Sequence, residues 1–553
     1  MAKRRPFLIA AAFGIALVLV AAIVVTVVVT RTTKESAPAS GSASSSGATG
    51  GASTKPERKL EKIGTSAAAL DVDPAKDQKY AAYYQQKVDW GQCEEPEYSS
   101  LQCGTVTVPI QWNDPSAGDL GIAVIRDRAT QSSEGSLLVN PGGPGVSGVD
   151  TVGRNGAGDG ASTLVDPDVS AHHDLIGFDP RGVSRSDGIT CTDDRQQDDF
   201  SSTTIDWDTA AGRKKARTMW QTVIDGCEEH SGDLLPYVDT LSAARDMDVL
   251  RSAVGSSKLD YLGFSYGTYL GAVYAETYPE RVGRMVLDGA MDPSLTLGEI
   301  EQGQVVARAK TLDRFIDHCL HQGEDTCQLS GDIDHARSQL VRFLDKTAKH
   351  PVFSGDADRP LTASLVQSAL VIGMYQNESW DFLIQALQSA MNGDGSTMLY
   401  FADVANGRQD DGTYDGNAAI AMFAVNRLDR PQIADEGVRN AQQEKLATKY
   451  PVLGSTYGVG GPEAGQWPVK PVNRPAPIHA KGAPPIVVIG TTGDPATPYV
   501  WAKHLASQLD SGRLITWKGL GHTAYGRSGG CVEGLVDAYL SEGTVPKKNA
   551  VCS

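Results

Sequence analysis

The sequence predicts an α/β fold, a mostly parallel central sheet with a large helical lid inserted between its two parts. Three observations lead there. From about Ala82 onward, short and uniformly apolar runs alternate with amphipathic stretches, as expected where helices cover both faces of buried strands. Between Pro293 and His479 this rhythm fails, and helix-like stretches such as Gly303–Leu320 and Ala336–Ala348 take over. The strand-and-helix rhythm resumes at Ile486.

Read in order, the chain opens with Lys3, Arg4 and Arg5 ahead of the uncharged, apolar run Phe7–Thr30, long enough for the roughly 20 helical residues that cross a bilayer. Basic residues before such a run favour a cytoplasmic N-terminus and an exported body. No small-x-small site ends the run cleanly and no cysteine follows it for lipid attachment. Residues 1–35 therefore read as a signal or anchor segment with a transmembrane span at 7–30; a cleaved signal peptide is the alternative. Residues 36–60 form a flexible Ser/Gly/Ala linker that buries too little to fold. The sheet then occupies 82–292 and 480–553, with the lid at 293–479. At 553 residues the chain exceeds what one core fills.

The strands expected within the sheet are Leu120–Arg126, Gly135–Asn140, His173–Asp179, Leu259–Gly263, Arg284–Asp288, Ile486–Gly490 and Arg513–Lys518. A net charge of −17 repels phosphate backbones, so nucleic acid is not an expected partner. The eight cysteines fall into four neighbouring couples, Cys93 with Cys103, Cys191 with Cys227, Cys319 with Cys327, and Cys531 with Cys552. An even number in an exported chain reads as disulfides, and short loops make these couples the expected bonds. No CxxC or clustered His/Cys pattern supports a metal site. The expected location is the outer side of the cell membrane, or secreted.

One strand ends in chemistry. Gly263-Phe264-Ser265-Tyr266-Gly267 is a G-x-S-x-G motif between an apolar strand and the helix-like Tyr269–Tyr278. A turn from strand to helix this tight leaves no room for side chains beside the serine, and it lifts the hydroxyl above the sheet edge. Ser265 is thus the candidate nucleophile, and it needs a base. His522, in Gly519-Leu-Gly-His522 after the final strand, fits that role; His504 lies within an apparent helix, and His172 and His173 precede an early strand. The acid that orients the imidazole is read as Asp494, with Asp288 at the end of an earlier strand as the competitor. The chain order Ser265, Asp494, His522 is that of the α/β-hydrolase fold. Oxyanion donors are expected from the backbone of Tyr266 and, within Asn140-Pro-Gly-Gly-Pro-Gly145, of Gly143. Such a triad supplies its own acid and base, so no cofactor is expected.

Taken together, Asn140-Pro-Gly-Gly-Pro-Gly145, Gly177-Phe-Asp-Pro-Arg-Gly182, Gly263-Phe-Ser-Tyr-Gly-Thr-Tyr269, Val286-Leu-Asp-Gly289, Asp494-Pro-Ala-Thr-Pro498 and Gly521-His522…Cys531…Cys552 resemble the actinobacterial tripeptidyl aminopeptidases, of the proline-iminopeptidase-like group of serine peptidases. The resemblance runs from about Tyr84 to the C-terminus. It implies a helical lid and an exported exopeptidase that releases short peptides from peptide or protein substrates with free N-termini. An exported carboxylesterase or lipase using the same triad is the alternative; an endopeptidase or a non-catalytic scaffold are further readings. An exopeptidase must hold an α-ammonium, and Glu299, Glu301 and Asp429 are the lid carboxylates considered for it. The sequence departs from the family at two lid cysteines: their patterns read here Ala424-Val-Asn-Arg427-Leu-Asp429 and Ala464-Gly-Gln-Trp467-Pro468, as if one disulfide had been lost as a unit. A more mobile lid is the expectation.

Overall fold

Strands β1 (Gly91–Gln92), β2 (Gln102–Pro109), β3 (Asp119–Asp127), β4 (Gly135–Asn140), β5 (His173–Phe178), β6 (Leu259–Phe264), β7 (Val282–Asp288), β8 (Ile486–Gly493), β9 (Gly512–Leu520) and β10 (Ala550–Cys552) form one sheet in the order β1-β2-β3-β5-β4-β6-β7-β8-β9-β10. Pairing is antiparallel from β1 to β5 and parallel from β5 to β10. The computed structural model describes residue 70 and residues 72–157, 164–207, 209–433, 435–454 and 466–553. The expected segments 1–35, with its span at 7–30, and 36–60 lie outside them. Among the described residues no helix is long and apolar enough to cross a membrane.

Both faces of the sheet are buried, which explains the uninterrupted apolar strands. Leu138, Ile176, Tyr261, Leu287 and Val488 enter one core, while their neighbours Leu137, Leu175, Leu262, Val286 and Val487 enter another on the opposite face. All seven expected strands are present. β1, β2 and β10 were not expected from the apolar runs. In β2 exposed Thr105 and Thr107 alternate with buried Val106 and Val108, so one face meets solvent. β10 has three residues, too few for any periodicity, and depends on its pairing with β9 and on the Cys531–Cys552 bond. All four short-loop disulfides are formed.

Met285 of β7 lies opposite Ile486 of β8, so the chain leaves the sheet after one strand, builds the lid and returns to the adjacent position. The helices Leu297–His321, Ile333–Lys349, Ala363–Gly373, Trp380–Met391 and Ser396–Asn406 enclose a separate core that includes Phe315, Leu340, Leu370, Leu383 and Met398. The segment 293–479 is not uniform, however. The helix Ala418–Asp429 packs Ala424, Val425 and Leu428 into the core of the body, joined there by Trp467 and Ile478.

That helix is held at both ends. Before it, Asn417 donates to the carbonyls of Gly182 and Ile189, both at 2.9 Å, and accepts from Ser184 N at 3.0 Å. At its end, Asp429 accepts from Thr240 N at 2.9 Å and Asn473 Nδ2 at 2.8 Å. Between them, the position where the family pattern has a cysteine holds Arg427, whose guanidinium lies 4.5 Å from the Phe423 ring centre. Phe423 stacks on Trp220 at 4.5 Å and meets Trp467 edge-on at 5.0 Å. Aromatic and cation–π packing thus joins the segments of Arg427 and Trp467.

Replacing Cys531 and Cys552 together by Ser should lower stability by about 3 kcal/mol, the loop-closure value for a bridge of this span. Thermal unfolding under non-reducing conditions measures the loss. Amide exchange in Ala550–Cys552 should rise with it, because among the described residues β9 is the only strand β10 pairs with.

Candidate active site

β6 ends at Phe264 and the helix Tyr266–Thr277 begins two residues later, so Ser265 alone makes the turn. Its backbone has φ 54° and ψ −121°, a conformation that costs on the order of 1–3 kcal/mol for a residue with a side chain. Neighbours hold it there: Ser265 N donates to Asp288 O at 2.9 Å, and Ser265 O accepts from Thr268 N at 3.0 Å. The flanking glycines are steric requirements. A methyl group on Gly263 would stand 2.6 Å from Gly267 O, and one on Gly267 2.7 Å from Asn140 O.

His522 is buried, and its Nδ1 lies 3.0 Å from each carboxylate oxygen of Asp494. An Nδ1–H shared by that carboxylate leaves Nε2 as the acceptor nitrogen. Asp494 also accepts from Ala496 N and Thr497 N, both at 2.8 Å, and from the Thr497 hydroxyl at 2.9 Å. The competitor, Asp288, makes no contact with the ring's nitrogens among the described residues. Its carboxylate accepts from Ala524 N at 2.9 Å and Tyr525 N at 2.8 Å, and so holds the loop that carries His522. Burial pushes this carboxyl up to about 6, against the two N–H donors and His522, which pull it down.

The lid grips the same loop. His522 N donates to Tyr375 O at 2.8 Å, and the two rings meet edge-on at 5.2 Å. Arg527 donates to His522 O at 2.9 Å and pairs with Glu378 at 2.9 Å. Neither Tyr375 nor Thr497 was marked from the sequence. Thr497 was the more legible, since a Thr three residues after an Asp can return a hydroxyl to the carboxylate. Tyr375 contributes its carbonyl, which leaves no trace in residue type.

Ser265, His522 and Gly143 border one cavity of about 1690 Å³ between body and lid. Gly142 lies closest to the turn: a methyl group there, at φ 103°, would stand 2.5 Å from Phe264 O and 3.0 Å from Ser265 Cβ. Its N–H is engaged by Asn140 Oδ1 at 3.1 Å. The N–H of Gly143 has no protein acceptor among the described residues, and that of Tyr266, as the first residue of a helix, has none within the helix. Both are free to meet an oxyanion. Among the described residues no group of His, Cys, Asp and Glu could hold a metal ion.

The three carboxylates considered for a substrate ammonium do not border this cavity. Glu299 closes a capping box with Thr296 on the exposed start of the first lid helix. Glu301 faces Arg427, which only partly offsets the burial that raises its carboxyl. Asp429 is turned inward to Thr240, whose hydroxyl lies 2.5 Å from Tyr266 Oη. The carboxylates that do border the cavity are Asp150, Asp206, Asp345, Asp415 and Glu444. Composition hid the difference, because 67 acidic residues offer many equivalent candidates before the lid is folded.

Comparison with known proteins bears out the fold class. Residues 135–326, which carry Gly143 and Ser265, match the alpha/beta hydrolase fold family; residues 450–552, which carry Asp494 and His522, match the family of TAP-like proteins. Serine protease Hip1 of Mycobacterium tuberculosis is 32% identical over 484 residues, covering 84% of this chain and 91% of that protein. The chain belongs to the TAP-like family of α/β-hydrolases. Carboxylesterase B of M. tuberculosis is 33% identical over 477 residues (84% of this chain, 89% of that protein). Tripeptidyl aminopeptidase of Streptomyces lividans is 30% identical over 485 residues (84% and 86%). The family expected from the motifs is the one found, and the protein is a serine hydrolase.

Two outcomes test this geometry. Gly142→Ala should lower kcat for a chromogenic ester by about 100-fold while the fold is kept, since displacing a reacting group by even 1 Å has that order of effect. Asp288 binds its proton more tightly folded than unfolded, so its contribution to stability falls as pH rises from about 4 to 6. Asp288→Asn should remove that slope, a difference of up to about 3 kcal/mol between the two ends, read by urea unfolding of both proteins across the window.

Proposed function

We propose that this serine hydrolase is an exported exopeptidase that releases short peptides, tripeptides in the first instance, from free N-termini. In this reading Ser265 attacks the scissile carbonyl while His522 takes its proton through Nε2, and Asp494 holds the imidazole and stabilises its charge. The N–H groups of Gly143 and Tyr266 receive the oxyanion, and His522 returns the proton to the leaving amine. Water then repeats the cycle on the acyl-enzyme.

The observation that carries the reading is the cavity. At about 1690 Å³ it exceeds the roughly 300–1,000 Å³ of small-molecule pockets, and lid helices roof it, so it suits a peptide end rather than a long chain threaded through. Two of the relatives are named as a serine protease and a tripeptidyl aminopeptidase. A substrate ammonium would fall to the carboxylates that border the cavity. Export is supported by the N-terminal apolar run and by four disulfides, which persist in oxidising compartments.

A body lacking residues 1–35 should be labelled by a fluorophosphonate, and Ser265→Ala should abolish labelling. It should hydrolyse the chromogenic amide of a free tripeptide and leave the N-acetylated form uncut. Equal cleavage of both forms would exclude recognition of a free N-terminus. Labelling without amide cleavage would favour an esterase, the activity in the name of the 33% identical relative.

A further inference from the structure

Arg308, Asn406 and Gln443 border the cavity, and one side-chain nitrogen of each (Nε, Nδ2 and Nε2) is buried without a hydrogen-bond partner among the described residues. All three are donors. Arg308 as a whole is only half-buried, so the outer part of its guanidinium reaches the cavity. Arg308 adds a full positive charge. It pairs with no carboxylate among the described residues, and its one polar contact is a long 3.5 Å approach from Nη2 to Gln304 Oε1. Asp345 and Glu444, which border the same cavity, are exposed side chains and leave it unpaired.

Its position is set by the catalytic turn. One helical turn earlier, Gln304 donates through Nε2 to Ala496 O at 3.0 Å, and Ala496 N in turn donates to Asp494. The helix Leu297–His321 is thereby locked to the loop that carries the acid, and Arg308 projects from its next turn into the cavity that Ser265 and His522 border.

We propose that Arg308 forms a subsite for a substrate carboxylate, and that the enzyme prefers substrates that carry one near the scissile bond. A planar guanidinium is suited to a carboxylate and holds its charge at any working pH. The carboxylate has two sources, an acidic side chain or the C-terminus of a short peptide. The use of peptides rests on the exopeptidase reading; the subsite itself does not.

The test compares matched peptides with free N-termini, carrying Glu or Gln at successive positions and ending in an acid or an amide, with cleavage followed by mass spectrometry. A second pair is independent of peptides: the p-nitrophenyl monoester of glutarate against p-nitrophenyl valerate, corrected for spontaneous hydrolysis. Wild type should favour the carboxylate member by at least about tenfold in kcat/KM. Arg308→Gln should bring the ratio to within about twofold of one, and Arg308→Lys should restore part of it. Fluorophosphonate labelling of Ser265 in each variant reports that the site is still folded. Loss of the preference on amidation assigns the C-terminal carboxylate; loss on Glu→Gln assigns the side chain. A wild-type ratio near one in both sets, or a ratio untouched by Arg308→Gln, overturns the subsite. Uncut peptides with an Arg308-dependent ester ratio would instead overturn the exopeptidase reading and leave the subsite standing.

Discussion

A residue with a side chain is held at φ 54° at the end of β6, and much of the surrounding structure exists to hold it there. The conformation points a hydroxyl out of the sheet at the cost of backbone strain, which must be offset by what packs around it. Asp288 O fixes Ser265 from the adjacent strand, and Thr268 fixes it from the following helix. Gly263, Gly267 and Gly142 clear the space that any side chain would fill with backbone atoms. Among the described residues the N–H groups of Gly143 and Tyr266 have no protein acceptor, so the turn that exposes the candidate nucleophile has donors at hand for an oxyanion.

A second constraint joins the halves of the molecule. The loop of His522 receives Asp494 on its ring, Asp288 on the two N–H groups that follow, and Tyr375 and Arg527 on its own backbone. Two of these ties come from the body, one from the lid, and one, through Glu378, from both. The lid is therefore part of the catalytic loop's support as well as a roof, and its first helix repeats the arrangement through Gln304 and Ala496. A lid that only covered the cavity would not need bonds to the loop of His522 and to the turn of Asp494.

Legibility divided along physical lines. β3 to β9 could be read because strands buried on both faces are largely apolar, and Ser265, Asp494 and His522 could be singled out as candidates because chemistry requires those residue types at strand ends. β1, β2 and β10 were missed since one solvent face, or two or three residues, gives too weak a pattern. Glu299, Glu301 and Asp429 were reasonable by type, but type does not say which way a carboxylate turns. Asp429 turns inward to Thr240, and Glu299 caps its own helix. The lost lid cysteines were visible; the Trp220–Phe423–Trp467 packing that joins their segments was not, because its members lie far apart in sequence.

The sequence by itself determined the fold class, the disulfide couples and the candidate catalytic residues, because each depends on local periodicity, on short loops or on a motif whose glycines have steric causes. Only the tertiary structure decided which carboxylate the imidazole faces, which acidic and basic side chains border the cavity, and that the lid holds the catalytic loop. Those outcomes depend on contacts between residues from 28 to 236 positions apart, and on whether a charged side chain finds a partner before a substrate does.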